Sequence, residues 1–300
     1  MRKMAAAVVV LGALLAMPGA PGTALAELQW QRVDTVLLRE GTELPGGARR
    51  YAFPRADLRV RLDGVEIRPA LTLESWLAFS PAGRGGEVVV AGDFVLTQEE
   101  VTPVMRALFF GPGLQVTALH NDLLRSEPQT MRLHVSGRGD AAALAQRLRL
   151  AMEQSATPPV APVPQAEQRS ELALDRAAID RVLGHQGRVA DGVYAVSVPR
   201  PETVQEHGAT VSGALGLATA INIQPLGGGR AAAAGDFVLL GPEVDPVARA
   251  LAHHRIEVTA IHNHMLGGEP RLFLMHFWAV GDAEELTRGL RAALEQTRSG

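Results

Sequence analysis

Ala91-Gly92-Asp93-Phe94-Val95-Leu96 returns as Ala234-Gly235-Asp236-Phe237-Val238-Leu239, an offset of 143 residues. The match continues from Glu100-Val101 to Glu243-Val244, from Pro103-Val104 to Pro246-Val247, and from Arg106-Ala107-Leu108 to Arg249-Ala250-Leu251. After a one-residue slip near Gly111-Pro112-Gly113, Val116-Thr117-Ala118-Leu119-His120-Asn121 matches Val258-Thr259-Ala260-Ile261-His262-Asn263. Glu127-Pro128, His134 and Gly139-Asp140 recur in turn as Glu269-Pro270, His276 and Gly281-Asp282. The chain is therefore an internal duplication. Between the copies, Ser155 to Ser170 reads SATPPVAPVPQAEQRS, and its prolines favour an extended linker over helix or ladder. We expect a first domain over 27–154, a linker over 155–170 and a second domain over 171–299.

Each copy reads as α+β. In the second, apolar residues at helical spacing run from Ala173 to Leu183 and stop at Gly184. Alternating runs at Tyr194–Val198, Thr210–Leu215 and Ala218–Ile223 then predict strands, as does Phe237–Leu240. Asp245-Pro246 and Thr102-Pro103 suggest an N-cap followed by proline at the first helical position, with helices reaching about His253 and Phe110. Strands follow over Ile256–Met265 and Leu272–Val280, and Gly281-Asp282 opens a last helix to about Gln296. The order β-α-β-β-α at the end of each copy predicts a mainly antiparallel sheet packed with helices.

Arg2 and Lys3 precede an apolar run from Met4 to Met17, and Ala24-Leu25-Ala26 completes the order of a secretory signal peptide, cleaved before Glu27. The run is shorter than the roughly 20 residues a membrane-spanning helix needs, and no later segment is long and apolar enough. These features predict an exported protein, periplasmic or extracellular. A net charge of −3 gives no general attraction for phosphate backbones or anionic lipid, which argues against nucleic acid as a partner. The absence of cysteine removes disulfides, thiolate catalysis, Fe–S clusters and a lipid anchor, and leaves any metal to His, Asp or Glu. The nine histidines are then the residues to follow.

His262 and His264 alternate with Asn263 and so share one face of a strand. A hairpin centred on Glu269 would set His276 opposite His262, with Cβ atoms about 5 Å apart. His262, His264 and His276 then form a candidate three-imidazole site for a divalent transition metal (Zn, Cu, Mn or Fe), with a coordination position left open. The same construction in the first copy gives a weaker set, His120, Asp122 and His134. The competing reading is a metal-free polar network that fixes the hairpin. Glu243 and Glu100 sit where a carboxylate caps a helix, and Glu269 and Glu127 lie in the turn with proline; Glu243 or Glu269 would be the base or outer-sphere partner of a catalytic metal. His253-His254 read as solvated helix-end residues, and Phe273, Phe277 and Trp278 as packing. His262-x-His264 before Glu269 resembles the first cupin motif, but the interleaved helices and the lack of a second motif argue against that fold. There is no G-x-S-x-G elbow, and Gly227-Gly228-Gly229 is not a phosphate loop, since no Lys-Ser/Thr follows.

The runs GDFVL, PEVDPVARAL, VTAIHNHML, EPRLFLMHFW and GDAEELTRGLRAAL, between Gly235 and Leu294, resemble the LppY/LpqO family of exported bacterial proteins, whose domain has no known function. The resemblance implies duplicated α+β domains and an envelope location, but no reaction or substrate. The first copy departs from the pattern with Asp122 in place of a histidine and Leu133-His134-Val135 in place of Met275-His276-Phe277. Two functional classes follow. One is a secreted His-ligated metal protein, either a metalloenzyme or a protein of metal sensing, storage or delivery. The other is a metal-free envelope module that binds a small molecule or protein in the cleft between the domains.

Overall fold

The computed structural model describes residues 21–83, 86–159, 172–211 and 213–299. Most of the expected signal segment and the centre of the expected linker lie outside the described residues. The first repeat comprises α1 (Pro21–Leu37), β1 (Thr42–Leu44), β2 (Ala48–Pro54), β3 (Arg61–Leu62), β4 (Val65–Glu66), α2 (Pro69–Thr72), β5 (Glu74–Pro81), β6 (Glu87–Thr97), α3 (Gln98–Phe109), β7 (Leu114–His120), β8 (Thr130–Asp140) and α4 (Ala141–Met152). The second comprises α5 (Arg176–Leu183), β9 (Arg188–Ala190), β10 (Val193–Pro199), β11 (Val204–Glu206), β12 (Ala209–Val211), β13 (Ala218–Gly227), β14 (Arg230–Leu240), α6 (Gly241–His253), β15 (Glu257–Asn263), β16 (Leu272–Asp282) and α7 (Ala283–Leu294). Helix α1 runs across the expected cleavage point before Glu27.

The two halves share one α+β design. Six antiparallel strands are ordered β1-β2-β5-β6-β8-β7 in the first sheet and β9-β10-β13-β14-β16-β15 in the second. Period-two alternation decides which side of each strand is covered by helices. In the first sheet Val88, Val90, Phe94 and Leu96 of β6 and Leu133 of β8 pack with Leu144 and Leu148 of α4. In the second, Phe237 and Leu239 of β14 and Met275 and Phe277 of β16 pack with Leu251, Leu286 and Leu290. The glycine of the repeated Gly-Asp-Phe has a steric reason. A Cβ on Gly235 would lie 1.9 Å from the Ala220 carbonyl oxygen of the neighbouring strand.

The intervening residues of each strand point to the other side, and there the two repeats meet. Residues 60–73 of the first repeat form an apolar cluster with Val193, Ala232, Ala234 and Trp278 of the second. Val204, Val211, Leu215 and Leu217 of the second pack with Ala78, Ala82, Val89 and Ala91 of the first. Polar contacts reinforce the exchange: Trp278 Nε1 donates to Asp63 (3.0 Å), and Asn222 donates to the Leu71 carbonyl (2.8 Å). At equivalent positions His207 Nε2 meets Ser136 Oγ (3.0 Å), and Arg138 donates to the His207 carbonyl (2.8 Å).

One arginine with a buried side chain ties each sheet to a helix. Arg55 donates to the Val95 carbonyl, Asp57 and Glu100; Arg200 donates to the Val238 carbonyl, Glu202 and Glu243. Glu100 and Glu243 also accept from the backbone N–H of Thr97 and Leu240, which starts α3 and α6 there. The helices thus begin earlier than Thr102-Pro103 and Asp245-Pro246 suggested, and both prolines lie inside them. A carboxylate three residues into the helix, rather than a residue before proline, sets the start.

Removing the fully buried Arg55 leaves the half-buried Glu100, and Asp57, without their cation. We expect Arg55→Ala to lower the unfolding free energy by about 3–5 kcal/mol, measured by urea denaturation. Arg249→Ala, which breaks an exposed pair with Asp245, is expected to leave the midpoint unchanged.

Candidate metal centre

His134 on β8 and His276 on β16 point to the inner face of their sheets, because Leu133, Val135, Met275 and Phe277 occupy the helix-covered face. Both are buried, at 3% and 7% exposure. The hairpin registers differ from the expected ones by two residues. His276 pairs with Ala260 and His262 with Leu274, while His134 pairs with Ala118 and His120 with Arg132. The near-hairpin pairing is centred on Gly268, not Glu269, and a bulge at Thr259 or Thr117 interrupts each ladder. Glu269 instead bridges its backbone to Gln205, and Glu127 bridges to Arg61. Diagonal neighbours on one face still touch. His262 Nε2 lies 2.9 Å from His276 Nε2, and His120 Nε2 lies 3.0 Å from His134 Nε2.

The two pairs come together as one group. The His120 and His262 rings stack with centroids 4.0 Å apart at 25°, and Asn263 reaches across to the Thr117 carbonyl (3.1 Å). One ligand nitrogen from each of His120, His134, His262 and His276 lies within 4.8 Å of every other. The sequence pointed to each hairpin separately, whereas the structure merges them across the repeat interface. The usable signal was the recurrence of both histidines in both copies, at positions that the duplication sets on the same inner face.

The other expected ligands lie beside this group with different partners. His264 is buried and its Nε2 donates to the Leu215 carbonyl (2.9 Å). Asp122 accepts from Arg132 Nε (2.9 Å). Arg132 also donates to Asp93 (2.6 Å) and to the Thr72 hydroxyl (2.7 Å). The sequence reading gave no role to Arg132, whose counterpart in the second repeat is Leu274. Glu243 is engaged by Arg200 and by the backbone of Leu240 and Arg298, and Glu269 sits in the exposed turn. Asp236 lies opposite His276 in the β14/β16 ladder, as Asp93 lies opposite His134.

Burial keeps the imidazoles neutral, the form that ligates metals. It pushes His120 down to about 3 and His264 to about 4, and holds His134 and His276 well below the usual histidine range. Burial also raises Asp93 to about 6 against the pull of Arg132, and Asp236 to about 7. Asp122 stays below the usual range because Arg132 outweighs its burial. Since His262 Nδ1 faces the Asn263 carbonyl (2.8 Å), it carries the proton and leaves Nε2 as a lone pair. Among the described residues His134 Nδ1 is buried without a hydrogen-bond partner. An orphaned buried nitrogen is what a bound ion or water commonly explains.

The match to a family profile covers residues 31–154 and 177–296, once for each repeat. The chain therefore belongs to the family described as Domain of Unknown Function (DUF1259). No curated protein matches it. Among solved structures, the trimeric bacterial microcompartment shell protein PduB shares 12% identity over 85% of this chain and 89% of its own, with a TM-score of 0.20. EtuB from Clostridium kluyveri shares 11% over 85% and 90%, with a TM-score of 0.18. The double-ringed trimeric shell protein MSM0271 shares 14% over 72% and 85%, at 0.16. Superpositions this loose carry no argument about fold or function.

In the metal-free protein the unfolded chain binds protons at His120 and His264 near pH 6.5, whereas the folded chain resists until about 3 and about 4. The histidine contribution to stability is therefore full above pH 6.5 and is lost as the pH falls toward those values. Imidazole 15N NMR should show His264 neutral at about pH 5.5; a protonation midpoint near 6.5 would contradict its burial.

Proposed function

We propose that the protein binds one transition-metal ion between its repeats, through His120, His134, His262 and His276. The observation that carries this reading is the convergence of four neutral imidazoles, two from each repeat, in a buried interface. Gathering four polar rings, His134 and His276 buried and His120 and His262 half-buried, costs free energy unless their nitrogens find partners, and two imidazole–imidazole contacts satisfy only part of that demand.

An all-imidazole set suits Zn(II), Cu(II) or Fe(II) better than Mn(II), which prefers oxygen ligands. Four protein ligands complete a tetrahedral zinc site. This favours holding or delivering the ion over zinc hydrolysis, whereas Cu(II) or Fe(II) in a larger coordination shell would keep a position for a small ligand. Beside the cluster Asp93 and Asp122 share Arg132, and Asp236 adds a third carboxyl group opposite His276. His264 and Asp122, expected as ligands, act in this reading as the neighbours that fix the ligands' surroundings. The charged, apolar and A-x-A order of the first 26 residues supports export to the envelope, in line with the resemblance to LppY/LpqO proteins.

Elemental analysis of tag-free protein, loaded with Zn(II) or Cu(II) and dialysed, is expected to find about one equivalent per chain. Replacing His134 or His276 by Phe should weaken binding by more than the about 10–100-fold typical of losing an outer-sphere partner, and His264→Ala by less. Absence of metal after reconstitution at neutral pH, in folded protein, would assign the histidines to a metal-free polar network instead.

A further inference from the structure

The carboxyl-terminal end of α3 carries Phe109 and Phe110, which are 63% and 80% exposed. Leaving two adjacent aromatic rings in water forfeits hydrophobic stabilisation, and the fold does not require them. At the matching positions the second repeat has Ala252 and His253.

The tip is also held in place. Gly111 and Gly113 take positive φ values of 122° and 91° around Pro112. The Arg147 guanidinium donates to the carbonyls of Leu108 (3.1 Å) and Gly111 (2.8 Å). On α4, one turn beyond Arg147, Leu150 is 52% exposed. Arg106 is exposed one turn before the phenylalanines, and residues 101–115 contain no acid.

We propose that Phe109 and Phe110 form a contact tip for an anionic phospholipid surface, with the exposed Arg106 facing the headgroups. Rings that project from a narrow turn insert into a fluid interface without needing a matching pocket, and the exposed cation adds attraction to anionic lipid. A second copy is the less suitable occupant. Two apposed tips would bring like charges together, over far less than the about 1,200–2,000 Å² that a stable interface buries. This inference is independent of the metal centre.

The test is sedimentation of the full chain with vesicles of phosphatidylglycerol mixed with phosphatidylcholine, beside vesicles of phosphatidylcholine alone. Binding to the anionic vesicles is expected to weaken with added salt and to fall at least about tenfold in Phe109→Ser/Phe110→Ser. Arg106→Gln should lower it about fivefold. Both side chains of the double variant are exposed, so its thermal melt is expected to match the wild type; Phe110→Ser alone provides a milder check. The proposal is overturned if the wild type leaves anionic vesicles unbound or if the double variant binds as well as the wild type. It is equally overturned if the two phenylalanines prove to support self-association without vesicle binding.

Discussion

Everything in this protein turns on the inner faces of two sheets being pressed against one another. A sheet covered by helices on one side has a second face to bury, and each repeat buries that face on the other. The exchange is reciprocal: the first repeat's Asp63 meets Trp278, and the second repeat's His207 meets Ser136. Such contacts impose an approximate two-fold relation, so residues at equivalent positions near the axis become neighbours. His120 stacks on His262 for this reason, and two modest histidine pairs become one group of four.

The symmetry is broken where charge is concerned. At the positions where the first repeat holds Asp122 and Arg132 as an ion pair, the second holds His264 and Leu274. The second repeat has neither member of the pair, and a buried carboxylate or guanidinium left alone would be costly. One consequence is that Asp93 has an arginine at 2.6 Å, while Asp236 has no hydrogen bond among the described residues. The environment of the imidazoles is therefore polar and charged on one side and apolar with one neutral histidine on the other.

The duplication and the antiparallel α+β design were legible in the sequence, because repeats and period-two alternation are local patterns. The merger of the two hairpins was not legible. Which faces of two domains meet depends on arms such as residues 60–73 and 204–217, whose short strands and turns leave little periodicity. The register error had a similar origin: Glu127 and Glu269 looked like turn centres, yet their backbones pair with those arms. Glu100 and Glu243 were read correctly as helix-capping residues, but their buried partners Arg55 and Arg200 lie more than forty positions away, beyond any spacing rule.

The central claim is that one ion sits where the two repeats meet. Anomalous diffraction from crystals of the full chain grown with Zn(II) tests it most directly. The account predicts a single strong peak about 2.0–2.1 Å from one nitrogen of each of His120, His134, His262 and His276. A peak bound by histidines of one hairpin only, or an interface with imidazole–imidazole hydrogen bonds intact and no anomalous signal, would contradict it.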